Sequence, residues 1–206
     1  MNHMTEKTLK KSEMTTKLPM HVADPAPLGL IGLAVAALVL ASADLGIVSS
    51  TAKSLIIPWV FFFGATAQLI AGTIEFKRNN IFGATVFTTY SMTMYAIALT
   101  LIITIFLDFE FDIAHYGFGL IAILAFSLIA TIASLMTNKM LFIILIFVDL
   151  AVIALIPHYF YGFTTFPAGV FLLCTSVSSF YTSMAILLNS MADKTILPLG
   201  KSIWKQ

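Results

Sequence analysis

The chain has 206 residues, of which 59% are hydrophobic and only 10% charged, and its mean hydropathy is +0.98. Soluble domains carry about 25% charged residues, so the composition describes a membrane protein with room for about six spans and no separate soluble domain. A net charge of +1 excludes the electrostatic footprint of a nucleic-acid binder, and a single cysteine, Cys174, excludes an intramolecular disulfide or a cysteine-based metal cluster.

In chain order, residues 1–23 form a polar arm with Lys7, Lys10, Lys11 and Lys17. Asp24-Pro25-Ala26-Pro27 then supplies an N-cap and a proline suited to a first helical turn. The first span is expected from about Leu28 to Ile47, its Gly29, Gly32, Ala36 and Ala43 being small enough for close helix contact. The second runs from about Ser54 to Glu75, with Gly64, Gln68, Ala71 and Glu75 on one face. Lys77-Arg78-Asn79-Asn80 makes a basic corner. The third span, about Ile81 to Leu107, opens with Thr and Tyr residues and continues as plain aliphatic sequence. An acidic loop, Asp108 to His115, leads to a fourth span, about Tyr116 to Met136. Its Ser127, Thr131 and Ser134 leave it the character of a wall helix. The fifth, about Leu141 to Ile156, contains Asp149, an acid at membrane depth whose partner the sequence does not name. An aromatic stretch from Pro157 to Pro167 is expected as a loop at headgroup level. The sixth, about Ala168 to Asn189, carries Thr175, Ser178, Ser179, Thr182 and Ser183.

With six spans, ten of the eleven Lys and Arg residues fall on one side and only Lys53 on the other. Such asymmetry marks the cytoplasmic side. It predicts an inner- or plasma-membrane protein with both termini in the cytoplasm. An all-α membrane protein of six transmembrane helices is the expected fold, with residues 24–200 as the six-helix domain, followed by a cytoplasmic tail over 201–206.

Two residues on the second span carry the strongest local signals. Glu75 reads either as an interfacial ion-pair partner of Lys77 and Arg78 or as a gating, proton-linked carboxylate at the inner mouth. Gln68, two turns deeper on the same face, either donates to a carboxylate solute or ties helices together. Hydroxyls of the sixth span have the ordinary alternative of bonding back to their own helix carbonyls. No nucleophile-and-base set, nucleotide loop or metal-ligand spacing occurs, so neither an enzyme nor a cofactor nor a metal site is expected.

Three motifs then carry a resemblance. Asp24-Pro25-Ala26-Pro27-Leu28-Gly29-Leu30 is similar to the Asn-Pro-Ala-Pro-Leu-Gly-Leu signature of the acetate uptake transporter family, the acetate/succinate permeases. The segment from Gln68 through Ala71-Gly72, Glu75-Phe76-Lys77 and Asn79-Asn80 to Phe82-Gly83-Ala84-Thr85 resembles that family's second signature. Tyr181 to Ala185, with Asn189 through Leu197-Pro198-Leu199-Gly200, resembles its closing motif. The resemblance implies six-helix protomers in a homohexamer within the lipid bilayer. Each protomer would move acetate and, in several members, succinate, by proton-coupled symport or along a channel. The family's constriction of Phe, Tyr and Leu falls at Leu33, Tyr90 and Val148, and Asp24, Gln68, Glu75 and Asn189 are carried with it as path residues. Leu33 and Val148 depart from the family pattern, as do Asp24 for Asn and Ser91-Met92-Thr93-Met94 after Tyr90. Another small solute, or a membrane protein that binds without transporting, remains open on these grounds.

Overall fold

The computed structural model describes residues 22–48, 54–107 and 111–204. Most of the N-terminal arm, Lys53, and Asp108 and Glu110 of the acidic loop lie outside them. Six helices among the described residues are long and apolar enough to cross a membrane: α1 (Ala26–Asp44), α2 (Ile56–Lys77), α3 (Ile81–Phe106), α4 (Ala114–Ser134), α5 (Lys139–Tyr161) and α6 (Phe166–Ala192). No strand occurs among these residues. In hydrocarbon each backbone donor and acceptor must be met within the segment, which is why the apolar runs are all helical.

Local chemistry sets the helix ends. An Asp24 carboxylate oxygen accepts from the Ala26 amide at 3.0 Å where α1 begins. At the basic corner the two asparagines divide the work. Asn79 adopts a left-handed conformation (φ 57°), which Asn tolerates better than most residues. Asn80 caps α3, its side-chain oxygen accepting from the Gly83 amide at 3.2 Å. Asn138 caps α5 in the same way through the Leu141 amide at 3.0 Å.

Two features differ from the sequence expectation. Val60–Ala67 inside α2 is π-helical, a wider winding with i→i+5 bonds that recurs at functional sites. Apolar periodicity over eight residues does not register that change. The fifth helix also does not stop before Pro157. It runs through the proline to Tyr161 and ends at Gly162 (φ 68°). Packing explains the continuation: Tyr159 lies against Tyr116 with ring centroids 4.6 Å apart, and Phe160 meets Phe118 at 5.2 Å. Gly117 leaves the space that Phe160 fills. These contacts offset the one backbone bond that proline removes.

Each helix packs on its neighbours in sequence, and α1 packs extensively on α6, so the six form a ring. The α1–α6 seam is close, with Gly169 of α6 set against the backbone at Asp44 and Leu45. Across it, Ser176 donates to the Ala34 carbonyl at 2.8 Å and Ser183 to that of Pro27 at 2.7 Å. Thr175, Ser178 and Thr182 instead bond back along α6. After α6 the chain folds under the bundle, where the Leu199 carbonyl accepts from the Met140 amide at 3.2 Å.

Candidate functional site

Two cavities lie inside the ring. The larger, about 250 Å³, opens toward the end of the bundle that carries Asp44, His158 and Thr165. The smaller, about 70 Å³, lies toward the basic corner and is lined by Gln68, Glu75, Asn80 and Ile144 among others. Leu33 and Tyr90 line both, so they form the layer where the two cavities adjoin. Val148 lines the larger one. The three residues expected to constrict a path are thus brought together in the middle of the ring, all buried.

Gln68 follows directly on the π-helical turns and is fully buried. Neither its amide nitrogen nor its oxygen has a hydrogen-bond partner within the protein. An unmet buried amide costs about 1–3 kcal/mol, so an inward-facing Gln68 is ready for water or a polar solute. One carbonyl of the wide turn, that of Ala65, accepts from Ser91 on α3 at 2.8 Å.

Glu75 is 1% exposed. One carboxyl oxygen sits 3.7 Å from Arg78 and accepts no hydrogen bond, while the other lies beside the Asn80 side chain and packs against Gly83. Arg78 makes its short contact elsewhere, with Asp24 at 2.7 Å. The geometry therefore combines both expectations for Glu75: it neighbours a cation and it lines a cavity. Asp24 itself is 41% exposed at its side chain and lines neither cavity, acting instead as a strut between the start of α1 and the α2–α3 corner. Asn189 also lies apart from both cavities. Its amide donates to the Leu197 carbonyl at 2.8 Å and its oxygen accepts from the Ile196 and Leu197 amides, which pins the Leu-Pro-Leu-Gly tail.

What sequence reasoning missed is the partner set of Asp149. Its carboxylate is buried and accepts from Ser127 through one oxygen and from Thr131, at 2.6 Å, through the other. Ser127 in turn contacts the Tyr90 hydroxyl at 2.7 Å, and the Tyr90 ring is set edge-on to Phe126, with centroids 5.9 Å apart. The fourth helix is therefore no mere wall, because it carries the polar link between α3 and α5. A signal was present in the spacing. Ser127 and Asp149 stand eleven residues on either side of Asn138, so two antiparallel helices joined at that corner bring them level.

A ring of six spanning helices around two adjoining internal cavities is the architecture of a membrane transporter or channel. The sequence matches the GPR1/FUN34/yaaH family over residues 6–200, and the chain belongs to that family. It is 30% identical over 192 residues to the succinate-acetate/proton symporter SatP of Escherichia coli K12, covering 88% of this chain and 97% of that protein. It is also 28% identical over 200 residues to acetate permease A of Emericella nidulans, covering 88% and 67% of the two chains. The solved structure of the bacterial acetate channel SatP superimposes with a TM-score of 0.80 at 26% identity, over 87% of this chain and 99% of that one.

Proposed function

We propose that this protein carries acetate, and with it succinate or other small carboxylates, across a cell membrane through the two cavities and past Leu33, Tyr90 and Val148. The observation that supports this most directly is the sharing of Leu33 and Tyr90 between the cavities. A solute moving between them must cross an apolar layer with one phenol in it. Gln68, with its unpaired buried amide, is the polar group awaiting the solute on the side of the basic corner. The layer admits a small acid more readily when its charge is neutralised, because an isolated ion in an apolar surround is costly. Names of the relatives point to the same substrate class.

Uptake of labelled acetate into proteoliposomes tests this reading. Acetate entry above that of protein-free vesicles is the expected result. Retention of acetate without net flux would make the protein a binder, and movement of a different small solute alone would replace the substrate.

The working form in this reading is a homo-oligomer, a hexamer, in the inner or plasma membrane with both termini in the cytoplasm. Closed cyclic assembly is the common solution for identical protomers. Native mass spectrometry in mild detergent decides the copy number, and a stable monomer would count against it.

A further inference from the structure

The contacts of Asp149 have a consequence for the chemistry at the narrow point. In its carboxylate form Asp149 can only accept hydrogen bonds. Ser127 has one hydroxyl proton and gives it to the Asp149 carboxylate. The hydroxyl of Ser127 can therefore meet Tyr90 only as an acceptor, and the Tyr90 proton must point at Ser127. Thr131 spends its own proton on the second carboxylate oxygen. What remains at Tyr90 is an oxygen lone pair with no proton to offer the cavities it lines.

We infer that Asp149, acting through Ser127, fixes the hydrogen-bond polarity of Tyr90, so that the narrow point accepts a hydrogen bond from the solute and donates none. The inference rests on the proposed path past Tyr90 and deepens it. A carboxylate needs donors and finds none in this phenol, whereas a neutral carboxylic acid brings an O–H that the lone pair can accept. Asp149 and Ser127 are thus positioning residues that select the uncharged form of the substrate. A proton on Asp149 would let each hydroxyl turn round, Tyr90 would donate inward, and the preference would reverse. The experiment must distinguish these two directions.

Acetate uptake into proteoliposomes at one fixed pH, with and without an inside-positive diffusion potential, reads the charge of the species that crosses. A potential of about 60 mV favours entry of a monovalent anion by about 1.4 kcal/mol, or about tenfold, and leaves a neutral acid unaffected. The parent protein should show the same rate with and without the potential. Ser127→Ala frees the Tyr90 proton to serve a carboxylate, so its rate should follow the potential, by up to about tenfold at that setting. Ser127→Thr should restore the insensitivity of the parent.

A parent rate that follows the potential overturns the inference. So does a folded Ser127→Ala that remains insensitive. If Ser127→Ala does not fold, the phenol C–O band in the infrared difference between parent and Tyr90→Phe decides. A phenol that donates to the protein supports the inference, and one that accepts overturns it. If the parent moves no acetate, the proposed function fails while that band still settles the direction of the Tyr90 bond, so the two failures are separable.

Discussion

The backbone of Gly32 on α1 rests against the Phe63 carbonyl on α2, so closely that a β carbon at residue 32 would fall within 3.0 Å of that oxygen. Phe63 belongs to the π-helical turns, and its carbonyl faces α1 at this contact. The glycine thus seats the irregular stretch that leads into Gln68. Gly32→Ala must push backbone from backbone, since no flexible side chain lies there to yield. Overpacking of this kind costs about 1–3 kcal/mol. A lower melting temperature in detergent is expected, together with slower acetate uptake because Gln68 is displaced. An unchanged melting temperature would show that the π-helical turns relax at no cost.

Much of this architecture was legible in the residues. The spans follow from run length, and the buried face of α2 from the spacing of Gly64, Gln68, Ala71 and Glu75. Three things were not. The π-helical winding keeps the same apolar composition as an α-helix, so composition cannot reveal it. The persistence of α5 past Pro157 depends on Tyr116, Phe118 and Gly117, which lie about forty residues away in sequence. The pairing of Asp149 needed the level of two antiparallel helices, and an assignment of α4 to a passive role hid its hydroxyls. Asp24 and Asn189 carry conspicuous polar groups, yet those groups are occupied by Arg78 and by the tail backbone.

Tyr90 separates the two cavities with its ring, so Tyr90→Ala should join them. Truncating a buried aromatic costs about 3–5 kcal/mol, and the variant is expected to be less stable. Its uptake should shift toward larger acids, with propionate and succinate gaining on acetate by several-fold. Initial rates for the three acids, each divided by the amount of folded protein, check this. Ratios equal to those of the parent would remove Tyr90 from the lining of the path.

Sidedness can be read with single cysteines in a background where Cys174 is replaced by Ser. Lys139 lies at the α4–α5 corner and Asp112 precedes α4 at the opposite end of the bundle. The distribution of Lys and Arg predicts that Asp112→Cys reacts with an impermeant maleimide in intact cells, and that Lys139→Cys reacts only after permeabilisation. Labelling of Lys139→Cys from outside would invert the topology.

Glu75 offers the remaining test, because its two roles make opposite predictions. As an interfacial ion-pair partner it should matter for stability alone. Its nearest cation, Arg78, stands 3.7 Å away and is engaged more closely by Asp24, and a partly exposed pair of this kind contributes about 0–1 kcal/mol. As a group that takes up and releases a proton beside the solute, it should shape the response of uptake to pH. The second role fits the burial of the side chain and its place on the smaller cavity. Glu75→Gln preserves shape and most of the hydrogen-bonding capacity while abolishing titration. The variant is expected to fold with a stability within about 1 kcal/mol of the parent and to show a flatter dependence of acetate uptake on external pH. Flux into proteoliposomes across about pH 5 to 8 measures this, the range where proton-linked side chains commonly act, with the proton gradient set separately from the membrane potential. Gly83→Ala supplies an independent check. Its β carbon would come 2.9 Å from the Glu75 carboxyl oxygen and displace the group without removing its charge, so uptake should fall while its dependence on pH persists. If the Glu75→Gln profile overlays that of the parent, proton linkage does not pass through this side chain.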